Sequence, residues 1–389
     1  MRNKEVTIDL FDTTLRDGAQ SLPDINQFPT GSKPELAEQI ASLGINVVEA
    51  GFPVTPTDAE EVAAVANTVG RNHYRVHNFS TDGSGNQEFR APIIAALSRA
   101  IESDIDITWQ AIALARIPRI HTFIATDPKH MEAKFKGLSE DDIVKKVAKV
   151  VDHAKQVSAN HPSAQVEFSA EAASTSNSQF LQRIVKEAVS HGVDVINVPD
   201  TVGQMNPFRM FFFYQKVIKW ATSQNTDITI SAHNHNDHGL AVANTLALVQ
   251  AATEYADVNN IGLKLQLETT ICGLGERAGN ADIFPVVANL FKFAPDFAKT
   301  IHWQFNPSYS VDAARFILGK AGLEVPRQSP IVGEDVNVHR NGIHSDAILK
   351  GGFEMYTSFD PTHWGHRRKA VHEDGKYQGS KGREAALNF

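Results

Sequence analysis

The sequence predicts an α/β protein, a (β/α)8 TIM barrel with a C-terminal accessory segment. Three observations point there. Short runs of β-branched and apolar residues alternate with helical patterns, which implies a parallel sheet covered by helices. Eight such strand–helix pairs fit within about 300 residues, the count for a closed barrel. An open doubly wound sheet would need a glycine-rich fingerprint after its first strand. That strand ends instead in Asp12-Thr13-Thr14-Leu15-Arg16-Asp17-Gly18, with no second or third glycine.

Each pair is read from its own pattern. Residues 6–11 form the first strand, followed by a loop and a helix over 33–43. The second strand spans 46–49, with a helix at 58–69. The third strand is expected at 91–97 and its helix at 104–115. The fourth covers 119–125, with a helix at 139–156. The fifth covers 165–170, with a helix at 179–190. The sixth covers 193–198, with a helix at 207–222. The seventh spans 227–233, with a helix at 240–254. The eighth spans 264–271, with a helix at 282–293. The polar stretch 71–90, with Gly83, Ser84 and Gly85, reads as a loop insertion. After about residue 297 the rhythm breaks: 308–322 is helical, 323–336 is punctuated by Pro and Gly, and from Gly365 the chain turns basic (Arg367, Arg368, Lys369, Lys376, Lys381, Arg383). The expected division is a barrel over 1–298 and an accessory segment over 299–389. No internal repeat is seen.

Composition narrows the function. Hydrophobic residues make up 42% of the chain, enough for a large core, and the net charge is −8. That balance argues against a nucleic-acid partner, whose binders carry basic patches. No run of about 18 apolar residues predicts a membrane span. The N-terminus lacks the apolar stretch of a signal peptide. The single cysteine, Cys272, has no partner for a disulfide, so a reducing cytoplasm is expected.

The sharpest chemical feature is His233-Asn234-His235 at the end of the seventh strand. Residues i and i+2 of a strand share a side, so two imidazoles would face one mouth of the barrel. They would form half of a metal site; alone, they would equally suit a pair of exposed histidines. Asp17 lies just past the first strand, which a barrel brings near the seventh and eighth. Arg16 beside it would offer a fixed cationic fork to a developing oxyanion or a carboxylate. The eighth strand leads into Gly273-Leu274-Gly275-Glu276-Arg277-Ala278-Gly279-Asn280, whose glycines permit close backbone approach and whose Asn280 offers a fourth oxygen ligand. One carboxylate, two imidazoles and an amide oxygen suit Zn, Mg or Mn and leave coordination positions open. A 2-oxo acid chelates such an ion, which then acts as a Lewis acid.

Three motifs, Asp12 to Gly18, His233 to Asp237 and Gly273 to Asn280, together resemble the metal-dependent Claisen-condensing barrel enzymes, the family of 2-isopropylmalate, homocitrate and citramalate synthases. The resemblance covers nearly the whole chain. The isopropylmalate synthase branch is resembled further by Glu49-Ala50-Gly51-Phe52-Pro53, by the segment Arg119 to Thr126, by Glu167-Phe168-Ser169-Ala170-Glu171, by Pro199-Asp200-Thr201-Val202-Gly203 and by Asn341-Gly342-Ile343-His344-Ser345-Asp346. The resemblance implies acetyl-CoA as co-substrate and an acyltransferase of leucine biosynthesis. It implies that Asp17, His233 and His235 ligate the metal with Asn280 close by or ligating, and that Arg16 stabilises the keto oxygen. His121 and Thr201 would contact the 2-oxo acid. Glu171 and His344 would belong to the proton-transfer machinery, and Tyr356 to the later hydrolytic step. It also implies a homodimer.

The chain departs from the family pattern at Ala19, Cys272 and Ala172, where relatives often carry a carboxylate or amide, an Asn and an Asp. A C-terminal leucine-sensing domain is not expected within these 389 residues. Pyruvate and 2-oxoglutarate are the alternative acceptors, although the Glu49–Pro53 stretch favours an aliphatic one. A metabolite-sensing barrel without catalysis is the reading from another class.

Overall fold

The computed structural model describes residues 5–297 and 299–373. The opening residues 1–4 and the tail cations Lys376, Lys381 and Arg383 lie outside the described residues. The chain divides into two compact units, the first ending at Phe305 and the second beginning at Asn306.

In chain order the first unit carries β1 (Val6–Asp12), the helical turn α1 (Ala19–Ser21), α2 (Lys33–Ser42), β2 (Val47–Glu49), α3 (Pro56–Asn67), β3 (Tyr74–Ser80), β4 (Gln87–Arg90), β5 (Ile93–Arg99) and α4 (Glu102–Ile112). Then come β6 (Pro118–Ala125), α5 (Pro128–Lys134), α6 (Glu140–Ser158), β7 (Gln165–Glu171), α7 (Ser178–Ser190), β8 (Val195–Asn197), α8 (Pro207–Thr222), β9 (Thr229–His233), α9 (Ala241–Asn259), β10 (Leu263–Thr269), α10 (Ile283–Phe293) and β11 (Ile301–Gln304). Strands β1, β2 and β5 through β10 pair in parallel, and β10 closes onto β1 with Val6 beside Leu263 and Asp12 beside Thr269. This is a closed (β/α)8 barrel.

Parallel strands covered by helices are apolar on nearly every position, and the outward side chains of these strands are, among them Ile8, Leu10, Ile120, Phe168, Ile230 and Leu265. The inward positions differ. Arg119, Glu167, Ser231 and Gln266 fill the lumen, and all are buried. Arg119 Nη1 donates to Glu167 at 3.0 Å and also bonds Gln266 Oε1. Gln266 Nε2 donates to Glu167 at 2.7 Å and to Ser231 Oγ at 3.0 Å. Every polar group in this layer has a partner, which is the condition for burying it. Alternation then carries the same inward rows to His121, Ser169, Glu171, His233 and Glu268 at the C-terminal mouth.

Three local expectations change. The stretch 71–90 is largely a β-hairpin: β3 pairs antiparallel with β4 and with β11. Its polar composition hid the ribbon because most of its side chains are exposed or half-buried; its apolar anchor is Phe79, which packs edge-on to Phe291 at 4.6 Å and stacks on Trp303 at 5.9 Å. The third barrel strand starts at Ile93, two places later than expected, after Pro92. Helix α5 was not expected, although Asp127-Pro128 is an N-cap followed by a first-turn proline. The Asp127 carboxylate accepts from the backbone N–H groups of Lys129 and His130.

The second unit holds α11 (Ser310–Lys320), β12 (Val338–His339), α12 (Gly342–Gly351) and β13 (Val371–His372). Its two short strands pair in parallel. Asp335 is gripped by Arg327 at 2.6 Å and Arg340 at 2.9 Å, and Arg340 also reaches Glu373.

Candidate active site

The C-terminal ends of the barrel strands surround a cavity of about 300 Å³. Arg16, Asp17, His121, Glu171, Thr201, His233 and His235 all line it. Asn280 sits beside them through a backbone bridge to His235. The first unit thus brings eight of the expected site residues together. His344 and Tyr356 belong to the second unit, where their rings stack on each other at 3.9 Å.

The metal-binding expectation rests on three donors whose ligand atoms all lie within 4.8 Å of one another: Asp17, His233 and His235. Asp17 Oδ2 is 3.3 Å from His233 Nε2 and 3.9 Å from His235 Nε2, and the two Nε2 atoms are 3.3 Å apart. The sequence builds this cluster from two pieces. Thr13 Oγ1 accepts the Asp17 N–H in the tight turn after β1. At the end of β9, alternation turns His233 and His235 inward and Asn234 outward. There Asn234 Nδ2 donates to Tyr214 Oη at 3.1 Å and Thr245 Oγ1 at 3.0 Å, fixing the strand end to α8 and α9. Glu268 takes the hydrogen bond of His233 Nδ1 at 2.9 Å, which leaves Nε2 facing the cluster; a ligating histidine is ordinarily oriented in this way.

The donors fit a divalent cation. Asp17 Oδ1 and Asn280 Oδ1 are both buried without a hydrogen-bond partner, a costly state for lone oxygen atoms. Burial opposes the Asp17 charge, but Arg16, His233 and His235 hold its carboxyl well below the usual range. Burial and the neighbouring His233 drive His235 down to about 3, so its imidazole is neutral. Burial also works against a proton on His233, yet its hydrogen bonds to Asp17 and Glu268 raise it to about 9, so a cation bound at Nε2 would displace that proton.

The glycine-rich loop shapes the other wall. A side chain at Gly275 would run into the Asn280 amide, and one at Gly279 would strike the Gly273 carbonyl. Cys272 adopts a left-handed φ of 53° just before this turn. Burial pushes its thiol well up, so it is a packing residue without thiolate character. Gln20 lines the cavity, so the first loop faces it through the residue after Ala19.

Several site residues were not singled out by sequence. Glu49 is buried and accepts from Thr13 Oγ1 at 2.5 Å, Arg16 Nε at 2.7 Å and His121 Nδ1 at 2.7 Å. Burial raises its carboxyl, but Arg16 and His121 outweigh that and bring it to about 2. Glu268 orients His233. Arg277 grips both oxygens of Asp237 at 2.8 Å and the Thr201 carbonyl at 2.7 Å. Lys134 meets Glu171 at the rim. The signal for Glu49 was a charged residue closing an otherwise apolar strand, and for Glu268 the polar alternation of Lys264, Gln266 and Glu268 along one side of β10; Lys134 and Arg277 sit in a short helix and a loop that carry no such periodicity.

His121 is held from both sides, since Nε2 also bonds Ser169 Oγ at 2.7 Å. Thr201 Oγ1 accepts the N–H of Ala172 at 3.0 Å, so its hydroxyl hydrogen can be given to a ligand. Phe52, Leu97, Phe123 and Pro199 supply apolar lining.

The chain is 38% identical to 2-isopropylmalate synthase B of Solanum pennellii over 88% of its own length and 51% of that protein. It is 38% identical to 2-isopropylmalate synthase of Heliobacterium modesticaldum, over 88% of its length and 59% of that protein. The chain therefore spans between half and two thirds of the length of these relatives. Among solved structures, an HMG-CoA lyase from Acinetobacter baumannii in complex with coenzyme A and 3-methylmalate aligns with a TM-score of 0.60 at 17% identity, over 83% of this chain and 93% of that one, which shows a shared fold. The HMGL-like family model matches residues 7–303, nearly the whole first unit, and the chain belongs to the HMGL-like family.

Proposed function

We propose that the chain carries the condensing activity of a 2-isopropylmalate synthase, joining the methyl carbon of acetyl-CoA to the keto carbon of 3-methyl-2-oxobutanoate and releasing CoA. The observation that carries this reading is one cavity that joins three side chains able to hold a metal ion, a carboxylate at its rim and an apolar lining. The relatives named 2-isopropylmalate synthase support it.

A Zn, Mg or Mn ion held by Asp17, His233, His235 and the Asn280 amide oxygen would polarise the keto carbonyl of a chelating 2-oxo acid. Arg16, fixed by Glu49, places its guanidinium where negative charge develops on that oxygen. The Thr201 hydroxyl donates to the acceptor's carboxylate, and His121 exchanges Ser169 for the substrate. Glu171 removes a methyl proton from acetyl-CoA, the resulting carbon nucleophile attacks the keto carbon, and water then cleaves the thioester. His344 and Tyr356 are assigned to proton transfer and to the hydrolytic step. We infer a homodimer working in a reducing cytoplasm; no described helix is long and apolar enough to cross a membrane.

An aliphatic acceptor fits the cations of the cavity. Arg16 is paired with Glu49, Arg277 with Asp237 and Lys134 with Glu171, so each already answers a carboxylate of this chain. A 2-oxo diacid would need another. The deciding experiment measures free CoA thiol with 3-methyl-2-oxobutanoate, pyruvate and 2-oxoglutarate in parallel. The first should give the highest kcat/KM, with pyruvate lower by about 100-fold or more, since each of its two missing carbons is worth about 10-fold or more. Preference for either other acid would replace the proposed substrate, and no thiol release from metal-loaded protein with any acid would end the enzymatic reading. Glu171→Gln should retain metal and 2-oxo acid binding while condensation stops; His235→Ala should lose the metal itself.

A further inference from the structure

Glu171 ends β7 at the cavity rim, where the Lys134 ammonium meets it. Lys134 Nζ lies 2.6 Å from Glu171 Oε1 and 2.7 Å from Oε2. Both residues line the cavity. The side chains are 44% and 19% exposed, so the ion pair adds little to stability. Its placement is nonetheless built in. The N–H and Oγ1 of Thr126 both donate to the carbonyl of Glu171 itself, each at 3.0 Å. Asp127 then caps α5, and Lys134 is that helix's last residue. The backbone of the carboxylate thus anchors the short segment that brings the cation to it.

Charge bookkeeping along the reaction gives this contact a use. When Glu171 takes a methyl proton, the C–H bond breaks, an O–H bond forms on the carboxylate, and the electron pair passes to the thioester oxygen. The negative charge moves from the carboxylate to a substrate atom beside it. A cation fixed to the carboxylate stays within a few ångströms of that charge before and after transfer, and in a partly desolvated cavity such a charge matters more than in water. We propose that Lys134 is a positioning residue for the deprotonation step, fixing the Glu171 carboxylate in the substrate-free site and serving as its counter-charge while negative charge moves onto the thioester. This rests on the assignment of Glu171 as the base.

The test uses the full-length, metal-loaded protein with Lys134→Met, Lys134→Arg and Glu171→Gln, assayed by thiol release. Lys134→Met should lower kcat by about tenfold or more, with KM for the 2-oxo acid within about twofold of the parent. Lys134→Arg, which keeps the charge, should recover most of the loss. Parent-level kcat in Lys134→Met, or a change confined to KM, overturns the role of Lys134, and Glu171→Gln remaining inactive beside that result leaves the base assignment standing. Turnover in Glu171→Gln overturns both.

Discussion

Single residues show how burial sets the chemistry of this barrel. Asp12 closes β1 with no exposed surface and accepts from both the N–H and the hydroxyl of Thr14. Thr14 in turn accepts the Ile271 N–H, tying the first loop to the last. Burial outweighs the two hydrogen bonds and raises the Asp12 carboxyl to about 7. An acid whose folded value lies above its unfolded value near 4 binds more protons folded than unfolded in between. The stability it contributes is therefore present at pH 4 and lost as pH rises through 7. Asp12→Asn keeps an acceptor for Thr14 and cannot ionise. Relative to the parent, its unfolding free energy should gain about 2–4 kcal/mol between pH 4 and pH 8. Urea titrations of both proteins at the two pH values measure this, and a pH-independent difference would place the Asp12 carboxyl near its ordinary value.

At the scale of elements, a strand's two-residue period decides what reaches the site. His233 and His235 face the cluster because Asn234 faces out and is held by Tyr214 and Thr245. Asn234→Ala leaves those partners buried and unanswered, a cost of about 2–3 kcal/mol. It also frees the strand end that aims both imidazoles. The variant should unfold at lower denaturant and bind its metal more weakly, read by equilibrium unfolding and by titration with a divalent ion; loss of stability with unchanged metal affinity would show that His235 is aimed by other contacts. This same period made the barrel legible in advance, since β1, β6, β7, β9 and β10 are runs with apolar outward positions. It also explains what was missed. Glu49 and Glu268 occupy inward positions that sequence treats as ordinary strand charge, and only the closed barrel sets Glu49 against Arg16 and His121. The hairpin of β3 and β4 escaped because it is anchored chiefly by Phe79 on Trp303, a contact between residues more than two hundred places apart. Lys134 escaped because a seven-residue helix carries too few turns for its apolar face to register.

The whole barrel depends on a seam that the proposed cation would cross. Asp17 follows β1, His233 and His235 end β9, and Asn280 follows β10; these three strands are neighbours where the barrel closes. Without a cation, the cluster keeps the buried Asp17 Oδ1 and Asn280 Oδ1 without partners and a carboxylate crowded by two imidazoles. An ion bound only by the folded state stabilises it by mass action, about 2.7 kcal/mol at a hundred times its dissociation constant. In a chain of this size that corresponds to a shift of roughly 5 °C in the unfolding temperature. Removing the ion with a chelator should lower the first unit's transition by that order, and adding a divalent ion back should restore it. The second unit supplies none of these ligands. His235→Ala should unfold at one temperature with or without chelator. Scanning calorimetry on the two proteins, with the metal content of each sample measured in parallel, separates the contributions. An unfolding temperature indifferent to loss of the bound ion would mean that Asp17 and the two histidines are not jointly its ligands.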